Sequence, residues 1–186
     1  MAQVEAVLLT GGASRRMGAD KASLDFGGEP LAERIARALA EVACRITVLG
    51  REPIADFEFQ KDNQEFAGPL TALSEFKPGF PFVMVCSCDL PRFDPKIVEC
   101  FLEDINDKDA AVPISEGMLQ PLCALYRKKA FANIGSVLQG GKQSMMAWLE
   151  TLDLAEIPAL RLADTGIDPR SIQGFNSPEE LTRLIS

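Results

Sequence analysis

The chain has 186 residues and a mass of about 20.2 kDa, with 47% hydrophobic, 25% charged and 7% aromatic residues. That length favours one domain, 1–186, burying roughly 70% of its unfolded surface without disulfides or a structural metal. The net charge of -8 implies no nucleic-acid partner, although a local basic cluster can still hold a phosphate. The absence of histidine excludes Ser-His-Asp and Cys-His nucleophile pairs, His-based zinc sites and imidazole acid–base chemistry together. Chemistry must rest on carboxylates, lysine, arginine, backbone amides or a bound ion.

Met1 to Glu5 carries no basic region before an apolar stretch, and no run approaches ~18 apolar residues, so neither a signal peptide nor a membrane span is expected and the protein is read as cytoplasmic. Cys44, Cys86, Cys88, Cys100 and Cys123 are odd in number and irregularly spaced, as reduced, buried thiols would be. Cys86-Ser-Cys88 lacks a second pair to complete a metal site. Val4 to Thr10 is a short apolar run ended by Gly11-Gly12, which predicts a buried parallel strand. A basic glycine loop follows to Lys21. Pro30 is placed at the first position of a helix whose apolar residues are Leu31, Ile35, Ala38, Leu39 and Val42. Ile46 to Leu49 reads as a second strand and residues 51–69 as irregular.

A short helix is expected over Leu70 to Phe76 and the best central strand over Phe82 to Cys86. Pro95 to Leu102 and Gln143 to Leu149 read as helices, Ala110 to Pro113 and Leu122 to Tyr126 as strands. Trp148 and Met145-Met146 are assigned to a helix core rather than an exposed contact. Ser177-Pro178-Glu179-Glu180 supplies an N-cap, a proline and two first-turn acids for a final helix to Ile185. Strands alternating with helices indicate an α/β domain with a mainly parallel sheet, whose ligands bind beyond the strand carboxyl ends where strand order reverses. The loops after Thr10 and after Cys86 compete for that place.

The first loop is neither G-x-G-x-x-G nor a Walker A sequence. Its glycines nevertheless let backbone amides approach anionic oxygens, Ser14 offers a hydroxyl, and Arg15, Arg16 and Lys21 place three of the nineteen basic residues within seven positions. A solvated turn with incidental charges is the competing reading. In the second loop, Asp89 at the end of an apolar strand can hold Mg²⁺, which takes one or two carboxylates with phosphate oxygens and waters; alone, it could also cap the next turn.

Leu-x-Gly-Gly-x-Ser-x-Arg-Met-Gly-x-Asp-Lys at Leu9 to Lys21 resembles the signature of the molybdenum cofactor guanylyltransferases, the MobA family of nucleotidyltransferases. The resemblance continues through Gly27-x-x-Pro30-Leu31, Gly68-Pro69-Leu70, Cys88-Asp89-x-Pro91, Gln120-Pro121-Leu122-x-Ala124-Leu125 and Asn176-Ser177-Pro178-Glu179-Glu180-Leu181, almost the whole chain. It implies an α/β, single-domain, three-layer Rossmann-like fold with a mainly parallel mixed sheet. It also implies transfer of GMP from GTP to the terminal phosphate of molybdopterin, with release of pyrophosphate.

By position, Leu9, Thr10 and Gly11 would meet the nucleotide through backbone groups, with Gly12 and Ser14 beside them. Arg16 and Lys21 would bind phosphates, Asp62 would lie near the nucleotide, and Asp89 would coordinate Mg²⁺. Asn176 would lie near the metal or the second substrate. Handover to molybdoenzyme apoproteins and cofactor-delivery proteins is part of the implied picture. The chain departs from the family at Thr10 (usually alanine), at Thr71-Ala72 (usually Ala-Gly), at Gly174 (an asparagine) and at Lys142, the only basic residue where an arginine is often found. Gly12 favours guanine, since related cytidylyltransferases tend to carry alanine there. Two other readings remain: a nucleotidyltransferase using CTP or another phosphorylated acceptor, and a carrier that binds nucleotide or pterin without turnover.

Overall fold

The computed structural model describes residues 3–11, 21–63 and 67–185. β1 (Val4–Leu9) is buried along its whole length. It has parallel neighbours on both edges, β2 (Arg45–Gly50) and β4 (Phe82–Ser87), which is why it reads as a continuous apolar run rather than an alternation. Outward on one side lie β2 and then β3 (Glu58–Lys61), also parallel. On the other side β4 is followed by β7 (Cys123–Arg127) and β5 (Ala110–Ser115). β6 (Met118–Leu119) and β8 (Leu154–Pro158) both pair with β5. β7 runs antiparallel to β4 and β5, and β6 antiparallel to β5, giving the mainly parallel mixed sheet that was expected.

Alternate residues of the sheet feed two cores. Ala6, Leu8, Met84 and Cys86 pack under α1 (Leu31–Ala40), α3 (Ile97–Asp104), α6 (Ala159–Asp164) and α7 (Pro178–Ile185). Val7, Leu9, Val83 and Val85 pack under α2 (Pro69–Glu75), α4 (Ile134–Gln139) and α5 (Met145–Leu149). In α1 the residues Leu31, Ala32, Ile35, Ala36 and Leu39 are buried, the stripe expected of a helix on a sheet. Pro30 stands one position earlier than expected, as the extended N-cap. Trp148 is fully buried, stacked on Tyr126 at 4.6 Å between ring centroids, and its indole N–H donates to Asn133 Oδ1 at 2.8 Å. Met145 joins that core while Met146 stays 45% exposed. Among the described residues no helix is long and apolar enough to cross a membrane.

The structure corrects the reading of 51–69, which contains β3. Its sequence Glu-Phe-Gln-Lys is polar because the strand is an exposed edge with little to bury. The two-residue β6, the short β8, α4 and α6 also lacked a sequence signal, since none is long enough to show a period.

Glu5 is the one charged residue of β1 and is fully buried. Its carboxylate accepts hydrogen bonds from the amides of Gly79 at 2.7 Å and Phe80 at 2.9 Å and from the Arg45 guanidinium, which lies over the Phe80 ring. The turn before β4 is thereby tied to β1. Glu5→Ala would orphan two amides and the arginine, so we expect a loss of about 2–4 kcal/mol and a melting midpoint lower by roughly 5–15 °C, measured by thermal unfolding.

All five cysteines are free; Cys44 is exposed and the others are buried. Burial raises the thiol pKa of Cys86 and Cys123 above the ordinary range. At neutral pH a thiol reagent should therefore titrate Cys44 quickly, and the other four only on unfolding.

Candidate active site

The chain leaves β1 towards β2 and leaves β4 towards β5, on the opposite side. Strand order thus reverses between β1 and β4, the place where open α/β sheets bind ligands. Backbone pairing continues past the strand ends there. The Asp62 amide donates to Gly50 O at 2.8 Å, Thr10 to Leu49 O at 3.0 Å, Cys88 to Leu9 O at 3.1 Å and Ser87 to Leu122 O at 2.9 Å. Five segments are stitched side by side, the ends of β1 to β4 and the residue before β7, and they form a single ridge. Leu9 is buried through its side chain, so at this ridge it presents backbone alone.

Asp89 stands at the head of a cleft of about 470 Å³ bounded by the β5–β6 turn and by the segment from Ile172 to Leu184. Ser87 Oγ donates to Asp89 Oδ1 at 2.6 Å, which orients the carboxylate. Gly174 faces the same carboxylate: a Cβ at that position would lie 3.2 Å from the carboxylate carbon and Oδ1 and 3.3 Å from Oδ2. Asn176, Gln120, Glu116, Glu180 and Arg183 also line the cleft. Gln173 Nε2 donates to Ser115 Oγ at 3.0 Å across it. Arg92, just past Asp89, pairs with Asp168 at 2.9 Å and donates to Leu184 O at 3.2 Å. It holds the C-terminal segment against the Asp89 loop. Hydrogen bonding from Arg170 holds the Asp168 carboxyl below its usual range, so this clasp stays charged at neutral pH.

Final helix α7 begins as its sequence predicts. Ser177 Oγ accepts from the Glu180 amide at 3.2 Å, and Glu180 returns a carboxylate to the Asn176 amide at 2.6 Å, a variant of the capping box that sets Asn176 at the cleft wall.

Asp89 and Asn176 thus share one cleft, and Leu9, Thr10, Gly11 and Asp62 lie on the adjoining ridge. Gly12, Ser14, Arg15 and Arg16 lie outside the described residues; the Lys21 backbone opens a 3-10 turn, Lys21–Ser23. Lys142 is not brought to this cleft. It pairs with Glu150 at 3.4 Å between α4 and α5, helices of the opposite layer. The departure at Thr71 is absorbed within α2, where its hydroxyl donates to Ala67 O at 3.2 Å. Ser87, Ser115, Glu116, Gln173 and Arg183 were missed from sequence. Single polar residues carry no pattern, and only the fold gathers them.

A sheet that reverses its order at a carboxylate-bearing loop, with a polar cleft beyond the strand ends, is the ligand-binding arrangement of an open α/β sheet. The chain belongs to the MobA-like NTP transferase family, whose domain it matches over residues 6–156. It is 30% identical to the probable molybdenum cofactor guanylyltransferase of Natronomonas pharaonis, over 98% of this chain and 97% of that protein. The fold is shared with molybdopterin-guanine dinucleotide biosynthesis protein A from Archaeoglobus fulgidus (TM-score 0.81, 22% identity, 97% of this chain and 96% of that one). It is shared too with 2-C-methyl-D-erythritol 4-phosphate cytidylyltransferase from Thermus thermophilus (TM-score 0.69, 16% identity, 96% and 95%).

A Cβ at 174 would stand 3.2 Å from the carboxylate, so Asp89 would have to shift by a few tenths of an ångström against its Ser87 bond. Gly174→Ala should lower nucleotidyl transfer by roughly ten- to a hundredfold through a sub-ångström displacement of the carboxylate, with a melting midpoint within a few degrees of the parent.

Proposed function

We propose that this protein transfers GMP from GTP to the terminal phosphate of molybdopterin, forming molybdopterin guanine dinucleotide and pyrophosphate, and that residues 1–186 act as one nucleotidyltransferase domain. The observation that carries this reading is the position of Asp89, at the head of a polar cleft and beside the β1 ridge, in a chain of this family. The ridge is the nucleotide side and the cleft the acceptor side.

An oxygen of the acceptor phosphate attacks the α-phosphorus of GTP, the new P–O bond forms, and the bond to the β-phosphate bridging oxygen breaks. Pyrophosphate leaves with the electron pair. The nucleophile is already an anion at neutral pH, so no strong base is needed, in keeping with a chain that has no histidine. What opposes reaction is the mutual repulsion of two anions, and the remedy is positioning with electrostatic neutralisation. In this reading Leu9, Thr10, Gly11 and Gly12 offer backbone groups to the nucleotide, Ser14 a hydroxyl, and Arg16 and Lys21 their charges to the phosphates.

Among the described residues no three acidic, thiol or imidazole groups cluster as a metal cage. An oriented carboxylate suits Mg²⁺, which takes one or two protein carboxylates and fills its remaining positions with phosphate oxygens and water. Asp89 would hold it, with Asn176 on the same cleft; when bound it supplies charge neutralisation to the phosphates. Five free cysteines support a cytoplasmic setting, and delivery of the product to molybdoenzyme apoproteins belongs to the same proposal. Use of CTP is the second reading, motivated by the departures from the family pattern at Thr10, Thr71-Ala72 and Gly174.

With Mg²⁺ and each nucleotide in turn, GTP at about 100 times its Kd should add about 2.7 kcal/mol and raise the melting midpoint roughly 5–10 °C. A shift with CTP in place of GTP would overturn the base assignment. Asp89→Ala and Lys21→Ala should each cost ~10²–10³ in turnover with the fold intact; near-normal turnover in either variant removes that residue from the site.

A further inference from the structure

The turn joining β5 to β6 is made of Glu116 and Gly117, between the paired residues Ser115 and Met118. Both take positive φ, 51° and 77°, as in the type I′ turn that fits the twist of a hairpin. Asn, Asp or Gly is the usual first residue of such a turn, so a glutamate sits there against its backbone preference. The hairpin is braced: Gln173 Nε2 donates to the Ser115 hydroxyl at 3.0 Å, and the Gln120 amide donates to Pro113 O at 2.8 Å. Glu116 lines the cleft at whose head Asp89 stands. β5 lies beyond β7 from β4, and at ~4.8 Å per strand the two strand ends are roughly 10 Å apart. The cleft carboxylates are Asp89, Glu116 and Glu180. Asp89 accepts from the Ser87 hydroxyl and Glu180 from the Asn176 amide, each at 2.6 Å. The Glu116 carboxylate has no hydrogen bond or ion pair with the described residues. Beside it on the same wall Met118 is 62% exposed, and Pro121 and Leu122 carry an apolar strip towards Ser87.

We infer that Glu116 is a specificity-determining residue for the acceptor, its carboxylate taking the 2-amino-pyrimidinone edge of the pterin while the acceptor phosphate lies at the Asp89 end. The inference rests on the reading of molybdopterin as acceptor and adds the residue that selects its heterocycle. An ionised carboxylate only accepts hydrogen bonds, through two oxygens side by side. The pterin edge offers the match, with N3–H and an exocyclic N–H pointing the same way. Such a paired contact to a charged acceptor is strong and directional. Like charge disfavours a phosphate at this end, which sets the direction in which the acceptor lies. Its fused rings and methylene phosphate can span the distance between the two strand ends. The ring face then covers Met118 and the strip of Pro121 and Leu122, a thioether and apolar surface suited to it. A turn carboxylate without a partner among the described residues and an exposed methionine beside it thus receive one explanation.

The test compares wild type with Glu116→Gln and Glu116→Ala, whose melting midpoints should agree within a few degrees. The probes are pterin-6-ylmethyl phosphate and its 2-oxo analogue, lumazin-6-ylmethyl phosphate. Their binding is followed by pteridine fluorescence with Mg²⁺ and no nucleotide. The lumazine puts an acceptor oxygen where the pterin has an amino donor, and that oxygen faces a carboxylate unfavourably. Wild type should therefore prefer the pterin by about tenfold or more. A glutamine amide accepts with one end and donates with the other, so Glu116→Gln should reverse the preference, and Glu116→Ala should bind the two alike. In transfer assays Glu116→Ala should raise the molybdopterin KM about tenfold and leave the GTP KM within about twofold. The inference is overturned if wild type does not favour the pterin, if Glu116→Gln keeps the wild-type preference, or if the GTP KM rises as much as the acceptor's. Wild type that discriminates the pteridines but transfers no GMP would remove the transfer reading while the pteridine contact stands. Transfer without discrimination would do the reverse.

Discussion

The hydrogen bond from the Cys88 amide to the Leu9 carbonyl, 3.1 Å long, joins the ends of the two strands from which the informative loops of this chain spring. β1 and β4 are parallel neighbours, yet their chains depart to opposite sides of the sheet, so the ground above this bond is left open. The candidate site residues among those described are arranged about it. On one side is the ridge with Thr10 and Asp62, on the other Asp89 and the cleft. At the far end of the same two strands the buried Glu5 carboxylate ties the turn before β4 to β1 through two backbone amides. The register that aligns the loops is thus locked from below as well as by the ladder itself.

Precision at this junction comes from absent side chains as much as from present ones. Glycine at 50 lets the Thr10 hydroxyl settle over β2, and at glycine 174 any Cβ would stand only 3.2 Å from the Asp89 carboxylate. Ser87 orients that carboxylate through its hydroxyl. Arg92 clasps Asp168 and the Leu184 carbonyl, so the segment carrying Gly174 and Asn176 is fastened to the loop it serves. An acidic protein without histidine can run anion chemistry in this way, because the work asked of it is positioning and local neutralisation rather than proton transfer.

Much of this was legible from the chain. The apolar runs of β1 and β4 announced central strands because burial on both faces leaves no other pattern, and α1 and α7 announced themselves by period and cap. Asp89 stood out as a carboxylate at the end of such a run. β3, β6 and β8 were invisible: edge position or brevity removes the hydrophobic pattern that marks a strand. The cleft was only half legible. Asn176 was placed by its motif, whereas Ser87, Gln173 and Arg183 are gathered by tertiary structure alone. Gly174 and Thr10, departures from the family pattern, turn out to be the residues whose steric surroundings say most about how the site is held.

The most direct measurement follows the α-phosphorus. Wild-type protein, in excess over GTP labelled at the α-phosphate, is mixed with Mg²⁺ and molybdopterin and quenched over time. Direct transfer predicts that label passes from GTP to the pterin dinucleotide with stoichiometric pyrophosphate, and that none is bound covalently to the protein at any time. Label retained on the chain would contradict the single-step chemistry, and label remaining in GTP, with no pyrophosphate formed, would contradict the function.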